Sequence, residues 1–424
     1  MKDPGTLAKR LAAFSGIMVF LVMALEVMIM ISPFAFFFYS VFSPFFNFLE
    51  QHAATNWATR FFLPHMILPP TPFLQAVRVL GSVCFVLGFL AFTICALQVY
   101  LGKIFKWGIA DRGIYRYIRH PQYLSLAIWG AGMAILWPRF IVLASLSLML
   151  ILYYFLAQDE ERRMLNRYGA SYEQYMQRTG RFFPKLVERP FAWGTGRISP
   201  ALTYLGVPAL IVTLVMGTGV LLREITLNSL PFATKGNLTL VPILPEDSHL
   251  QGRVINGIQA GVQTGAVSFV NSDKSYLGYV MPPDYIMQGM IADTGQSFHL
   301  HKQHHTVALI VDWVLHPFAH LRRPPAVQMA AEHGADPKVA RRHHCPLGID
   351  RTDLSCDSCP YRRVILVEVT SGAGEPLSGS GLLARGVTRR PAGFVDLDAN
   401  TGQIIRATPV APGTAWRKVP TPEI

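Results

Sequence analysis

Apolar residues in this chain gather into long blocks separated by charged clusters. Residues 11–31, 77–100, 124–137, 140–157 and 203–222 are nearly uninterrupted apolar runs. Runs of this kind predict about five transmembrane helices, since a bilayer core takes roughly 20 apolar residues per helix. The charges at their ends orient them. Lys2, Lys9 and Arg10 precede the first run, which is longer than a signal-peptide core and reads as a retained span with a cytosolic N-terminus. Residues 33–48 are dominated by aromatics, and Pro64, Pro69, Pro70 and Pro72 break any long helix between residues 61 and 72, so this connection is expected to lie in the outer interface or to re-enter it. The loop after the second run carries Lys103, Lys106, Arg112, Arg116 and Arg119 against Asp111 alone, which places it inside. Trp137-Pro138-Arg139 then forms the outer turn of a helical hairpin, and the chain returns to the cytosol at Gln158. Residues 158–189 are rich in arginine, and Leu165, Tyr168, Tyr172 and Tyr175 recur at helical spacing, as in an amphipathic helix lying on the membrane surface. The fifth run carries everything beyond residue 222 to the outer side.

There the pattern changes. Short β-like runs at 238–241, 364–369 and 403–405 alternate with Gly, Pro, Asn and Asp turns, predicting a mostly β extramembrane domain. Residues 306–321 form a helix candidate too short for an ordinary span and interrupted by Asp312 and Pro317, and 411–424 is an extended tail. The boundaries drawn on this basis are 1–230 for the transmembrane domain and 231–424 for the outer one.

Composition agrees with the pattern. Of 424 residues, 51% are hydrophobic and 15% charged, which is too apolar for an ordinary soluble chain. The formal charge of +12 does not imply nucleic acid, because cations crowding the ends of apolar spans follow from topology and from anionic lipid headgroups. A bacterial inner membrane is the expected location, with the outer domain periplasmic.

The chemistry-bearing stretch runs from Gly113 to Tyr123 and is answered across the hairpin by Glu160 and Glu161. Pro121 keeps His120 out of the helical conformation and suits the first position of the next helix, whose leading amides are left as unpaired donors. Such a start binds a carboxylate, with Arg119 and His120 adding donors. Glu160 or Glu161 accepts from an ammonium or from ribose hydroxyls. S-adenosylmethionine carries all of these groups, and its sulfonium favours an aromatic face such as Tyr115, Tyr117 or Tyr123. A purely structural reading sets Arg112, Arg116 and Arg119 on lipid phosphates and pairs the two glutamates with Arg162 and Arg163. Taken singly, each residue fits that reading better. The combination favours a donor site.

The ordered set Gly113-x-Tyr115-x-x-x-Arg119-His120-Pro121-x-Tyr123, Gly130-x-Gly132, Glu160-Glu161-x-x-x-Leu165-x-x-Tyr168-Gly169-x-x-Tyr172-x-x-Tyr175 and Phe183-Pro184 resembles the isoprenylcysteine carboxyl methyltransferase and phospholipid N-methyltransferase superfamily. The resemblance covers roughly residues 77–190. It implies that Arg119, His120 and Glu161 bind S-adenosylmethionine at the cytosolic face, with Tyr115, Tyr123, Gly132 and Glu160 in secondary roles, and that a membrane lipid or other lipophilic acceptor enters from the bilayer. Arg116 is a candidate for orienting the acceptor's phosphate or carboxylate. No general base is identified from the sequence.

The outer domain lies beyond the resemblance. Nine of the 13 histidines fall between His299 and His344, among them His299, His301, His304 and His305, and His344-Cys345 leads to Cys356-x-x-Cys359. Three thiolates and an imidazole make a zinc set, and the histidines suit zinc or another transition metal. A disulfide between two of these cysteines fits an oxidising compartment equally well. Two further readings stand beside the membrane methyltransferase. One is a non-catalytic subunit of a redox or metal-handling assembly whose outer domain binds metal or a partner protein. The other is a reductase of the sterol type using NADPH.

Overall fold

The computed structural model describes residues 72–105, 111–188, 200–281, 360–371, 377–384 and 387–410, together with parts of 14–71. The chain forms two compact units, one from 1–27 and 72–224, the other from 28–71 and 225–424.

The first unit is helical. Its elements are α1 (Pro72–Ile104), α2 (Pro121–Leu136), α3 (Phe140–Tyr168), α4 (Ala170–Arg178) and α5 (Pro200–Ser229), the last running on into the second unit. Among the described residues, three stretches are long and apolar enough to cross a membrane: Pro72–Gly102, Phe140–Tyr168 and Tyr204–Ser229. Their exposed side chains include Val79, Leu87, Ile94 and Leu210, a surface that only lipid or protein covers. The structure therefore shows an integral membrane protein, with three such helices where the pattern predicts about five. Of the other two, residues 11–31 lie largely outside the described residues, and α2 has 16 residues, about 24 Å of helix.

α1 and α2 cross closely, and glycine makes this possible. A Cβ on Gly132 would lie 2.4 Å from the Phe85 amide nitrogen, and one on Gly88 would lie 2.4 Å from that of Trp129. Close backbone approach over small residues is the usual way helices associate in lipid. Trp129 fills the space beside the crossing, edge-on to Phe20 at 4.3 Å and to Phe89 at 5.1 Å.

The hairpin extends further than its apolar run. α3 continues through Glu160 and Glu161 to Tyr168 and stops at Gly169, whose φ of 50° and ψ of −128° only glycine adopts readily. The expected single surface helix is thus broken, and α4 turns back over the start of α2. Its Tyr172 is 3% exposed, and Tyr175 donates to the Tyr115 carbonyl at 2.7 Å.

The second unit is a six-stranded sheet in the order β1 (Ala233–Lys235), β2 (Leu238–Pro242), β3 (Ser275–Met281), β4 (Tyr361–Ser371), β5 (Val387–Asp398) and β6 (Ile404–Pro409). The sheet is mixed. β2 and β3 pair in parallel, and α6 (Gln251–Gln263) lies in the crossover that such a pair needs. Val254, Ile255 and Ile258 have helical spacing and pack on one face with Val364, Leu366 and Val395. Ile365 and Val367 point the other way, into a cluster with Ile67, Leu230, Leu383 and Phe394. Burial on both faces explains the unbroken Val-Ile-Leu-Val run.

Residues before α1 belong to this unit. Leu68 N–H donates to the Ile243 carbonyl at 2.9 Å, and Arg60 donates to the Val387 carbonyl at 2.9 Å. Buried ion pairs fix β4: Arg363 makes a fork to Asp396 at 2.6 and 2.8 Å, and Arg362 one to Asp247 at 2.7 and 2.8 Å.

Candidate functional site

The site grows from a break in the chain before α2. Gly113 takes φ 58° and opens a short turn (Gly113–Arg116), which buries Tyr115 and leaves Arg116 exposed. The Tyr115 hydroxyl reaches the Cys95 carbonyl on α1 at 3.4 Å. Next, Tyr117–His120 runs alongside Gly180–Arg181: Arg119 N–H donates to the Gly180 carbonyl at 2.8 Å, His120 N–H to that of Arg181 at 3.0 Å, and Gly180 N–H to that of Tyr117 at 3.1 Å. His120 caps α2 with φ −121° and ψ 57°, and Pro121 takes the first turn. Among the described residues the amides of Gln122 and Tyr123 have no hydrogen-bond partner, so the helix start keeps two open donors.

From α3 two glutamates meet this start, and their surroundings differ. Glu161 is 3% exposed and is held from several sides. Arg119 Nε donates to its Oε1 at 2.7 Å, while Arg181 reaches Oε1 at 3.1 Å and Oε2 at 2.6 Å. Arg119 Nη1 also donates to the carbonyls of Thr179 at 2.5 Å and Met176 at 3.2 Å. Glu161 therefore fastens the segment after α4 onto the start of α2. Two arginines offset its desolvation, and removing the carboxylate would leave both facing an uncompensated site.

Glu160 is the open member of the pair, with 42% of its side chain exposed. Its Oε1 accepts from the Tyr123 hydroxyl at 2.9 Å, and its Oε2 lies 3.4 Å from His120 Nδ1. His120 Nε2 lies 3.4 Å from Glu161 Oε1, a charge contact outside hydrogen-bond geometry. Burial alone would push the imidazole pKa down. The two facing carboxylates outweigh that cost and hold it above the ordinary histidine value.

The structure thus brings Arg119, His120, Tyr123, Glu160 and Glu161 together, with Tyr115 behind them and Arg116 at the surface. Gly132 stands elsewhere, in the α1–α2 crossing. Arg181 and Thr179 are the participants that sequence reasoning missed. Arg181 is one of the many arginines of residues 158–189, and its signal is its place immediately before the Phe-Phe-Pro segment that closes the pattern.

The metal candidates His299, His301, His305, His344, Cys345, Cys356 and Cys359 lie outside the described residues. Among the described residues no group of three or more His, Cys, Asp or Glu side chains is arranged to hold a metal.

A helical membrane unit with a buried, arginine-held carboxylate at a hairpin end defines a membrane protein with a polar site at its interface. Residues 76–171, which include Arg119, His120, Tyr123, Glu160 and Glu161, are similar to the phospholipid methyltransferase family. A stretch of 66 residues is 39% identical to the protein-S-isoprenylcysteine O-methyltransferase of Schizosaccharomyces pombe (strain 972 / ATCC 24843), over 15% of this chain and 27% of that protein. The match thus spans about a quarter of the curated relative's length. No solved structure matches the chain.

Proposed function

We propose that the chain is an S-adenosylmethionine-dependent methyltransferase acting on a lipophilic or membrane-bound acceptor, with its donor site between the start of α2 and the end of α3. The observation that carries this reading is the pairing of two open amides, at Gln122 and Tyr123, with the half-open carboxylate of Glu160 one hydrogen bond away. A zwitterionic amino acid needs such a pair. The amides and His120 hold the donor's carboxylate, and Glu160 accepts from its ammonium or ribose hydroxyls. Glu161 and Arg119, already engaged with each other, keep those groups in place. The match over residues 76–171 supports this over a reductase.

Bound S-adenosylmethionine supplies an activated methyl group whose thioether leaving group needs no proton. The chain's part is to align the donor, admit the acceptor head and exclude water. Retained label in organic-extractable lipid after incubation of the purified chain with methyl-labelled S-adenosylmethionine and membrane lipids tests the reaction. Its loss in Glu160→Gln is the expected result, and no transfer by any acceptor fraction contradicts the reading.

The basic loops support an orientation with the N-terminus and donor site cytosolic and residues 231–424 periplasmic.

A further inference from the structure

Three rings stand in a parallel column at the donor cluster. His120 and Tyr123 have centroids 5.5 Å apart and planes within 5°. Tyr123 and Tyr153 are 4.8 Å apart, again within 5°. Tyr153 lies on α3 two turns before Glu160, with the fully buried Ala157 between them, so one stripe of α3 carries the ring and the carboxylate. Tyr123 is therefore held at two points: its ring lies flat on Tyr153, and its hydroxyl donates to Glu160 at 2.9 Å. Tyr153 is 6% exposed, yet its hydroxyl has no hydrogen-bond partner among the described residues. What it contributes to the cluster is the plane of its ring.

We propose that Tyr153 is a positioning residue for the donor site: its ring sets Tyr123, and Tyr123 holds the Glu160 carboxylate against His120. The proposal rests on the reading of this cluster as a donor site. It places the support at membrane depth, outside the motifs of the polar cluster. His120 faces Glu160 and Glu161 from α3 and the ring of Tyr123 from its own stretch, while Arg181 and Arg119 bond Glu161 beside it. If Glu160 loosens, the buried His120 keeps its desolvation cost with one facing carboxylate fewer, and the imidazole gives up its proton at lower pH.

The test is calorimetric binding of S-adenosylmethionine to the detergent-solubilised full chain across pH, for wild type, Tyr153→Met and Tyr153→Phe. The proposal predicts that Tyr153→Met moves the midpoint of the pH profile down by about one unit, the size expected for one nearby charge displaced. Tyr153→Phe, which keeps the ring, restores the wild-type midpoint. In a Tyr123→Phe background, where the bond to Glu160 is already gone, Tyr153→Met adds nothing further. A wild-type midpoint in Tyr153→Met, or a shift that adds in full to that of Tyr123→Phe, overturns the proposal. Tyr153→Leu replaces the methionine variant if that fails to fold, and failure of both to fold shows a ring needed for folding alone, which also overturns it. Absence of binding by wild type at every pH instead refutes the donor reading itself.

Discussion

Arg119 Nε donates to Glu161 Oε1 at 2.7 Å, joining the start of α2 to the end of α3 across 42 residues of chain. The bond is buried, and its neighbour Glu160 is not, so two adjacent carboxylates of the same charge have different work. Glu161→Gln should weaken the fold, by about 3–5 kcal/mol for a buried ion-pair partner removed. Glu160→Gln should leave unfolding nearly unchanged and lower donor affinity at least tenfold. Chemical unfolding and calorimetric titration of the two variants side by side check the division, and equal effects on stability would contradict it.

The charge on His120 gives the site a pH dependence whose sign is fixed. Its folded pKa is raised, so its contribution to stability is fully present below the unfolded value of about 6.5 and is lost as pH rises through the folded value. Donor binding follows the same course, since the donor's carboxylate is anionic throughout. Affinity should fall as pH climbs above about 6.5, and His120→Gln should flatten the profile while lowering it. A profile that rises over this window would show that the neutral imidazole is the binding form.

The α1–α2 crossing leaves no room at Gly132. Gly132→Val should cost about 1–3 kcal/mol or more of stability, because the obstacle is the backbone at Phe85 and Gly81 and not a flexible side chain. Gly169→Ala meets no neighbour but inherits the strained φ of 50°, and should cost about 1 kcal/mol. Thermal unfolding in detergent separates the two.

In the sheet unit, Asp396 is fully buried and accepts from Arg363 and Arg406. Asp396→Asn should destabilise that unit by about 3 kcal/mol, since it leaves the buried Arg363 without its counter-charge. Limited proteolysis of the full chain, followed at β4 and β5, reports the loss.

The membrane unit was legible because its signals are local. Long apolar runs, the basic loop before Arg119 and the His120-Pro121 boundary each announce themselves within a few residues. So do Glu160 and Glu161, whose meeting with that loop follows from hairpin parity alone. Arg181 was not legible, because its role depends on α3 running past the apolar block and breaking at Gly169, which turns the arginine back onto Glu161. Tyr153 was hidden for the opposite reason, as one aromatic among many in an apolar run. In the sheet unit the strand runs are conspicuous, whereas α6, with Gly252, Gly257 and Gly261, is a weak helix by composition and is held by packing against β2 and β5. The assignment of Ile67 to the sheet core was beyond reach, since it joins residues about 160 positions or more away.

The most direct test of the account is calorimetric titration of the detergent-purified full chain with S-adenosylmethionine at pH 6, beside Glu160→Gln checked for an unchanged unfolding profile. The account predicts saturable one-to-one binding that the substitution weakens at least tenfold. A well-folded wild type that binds no donor, or a Glu160→Gln variant that binds as wild type does, would contradict it.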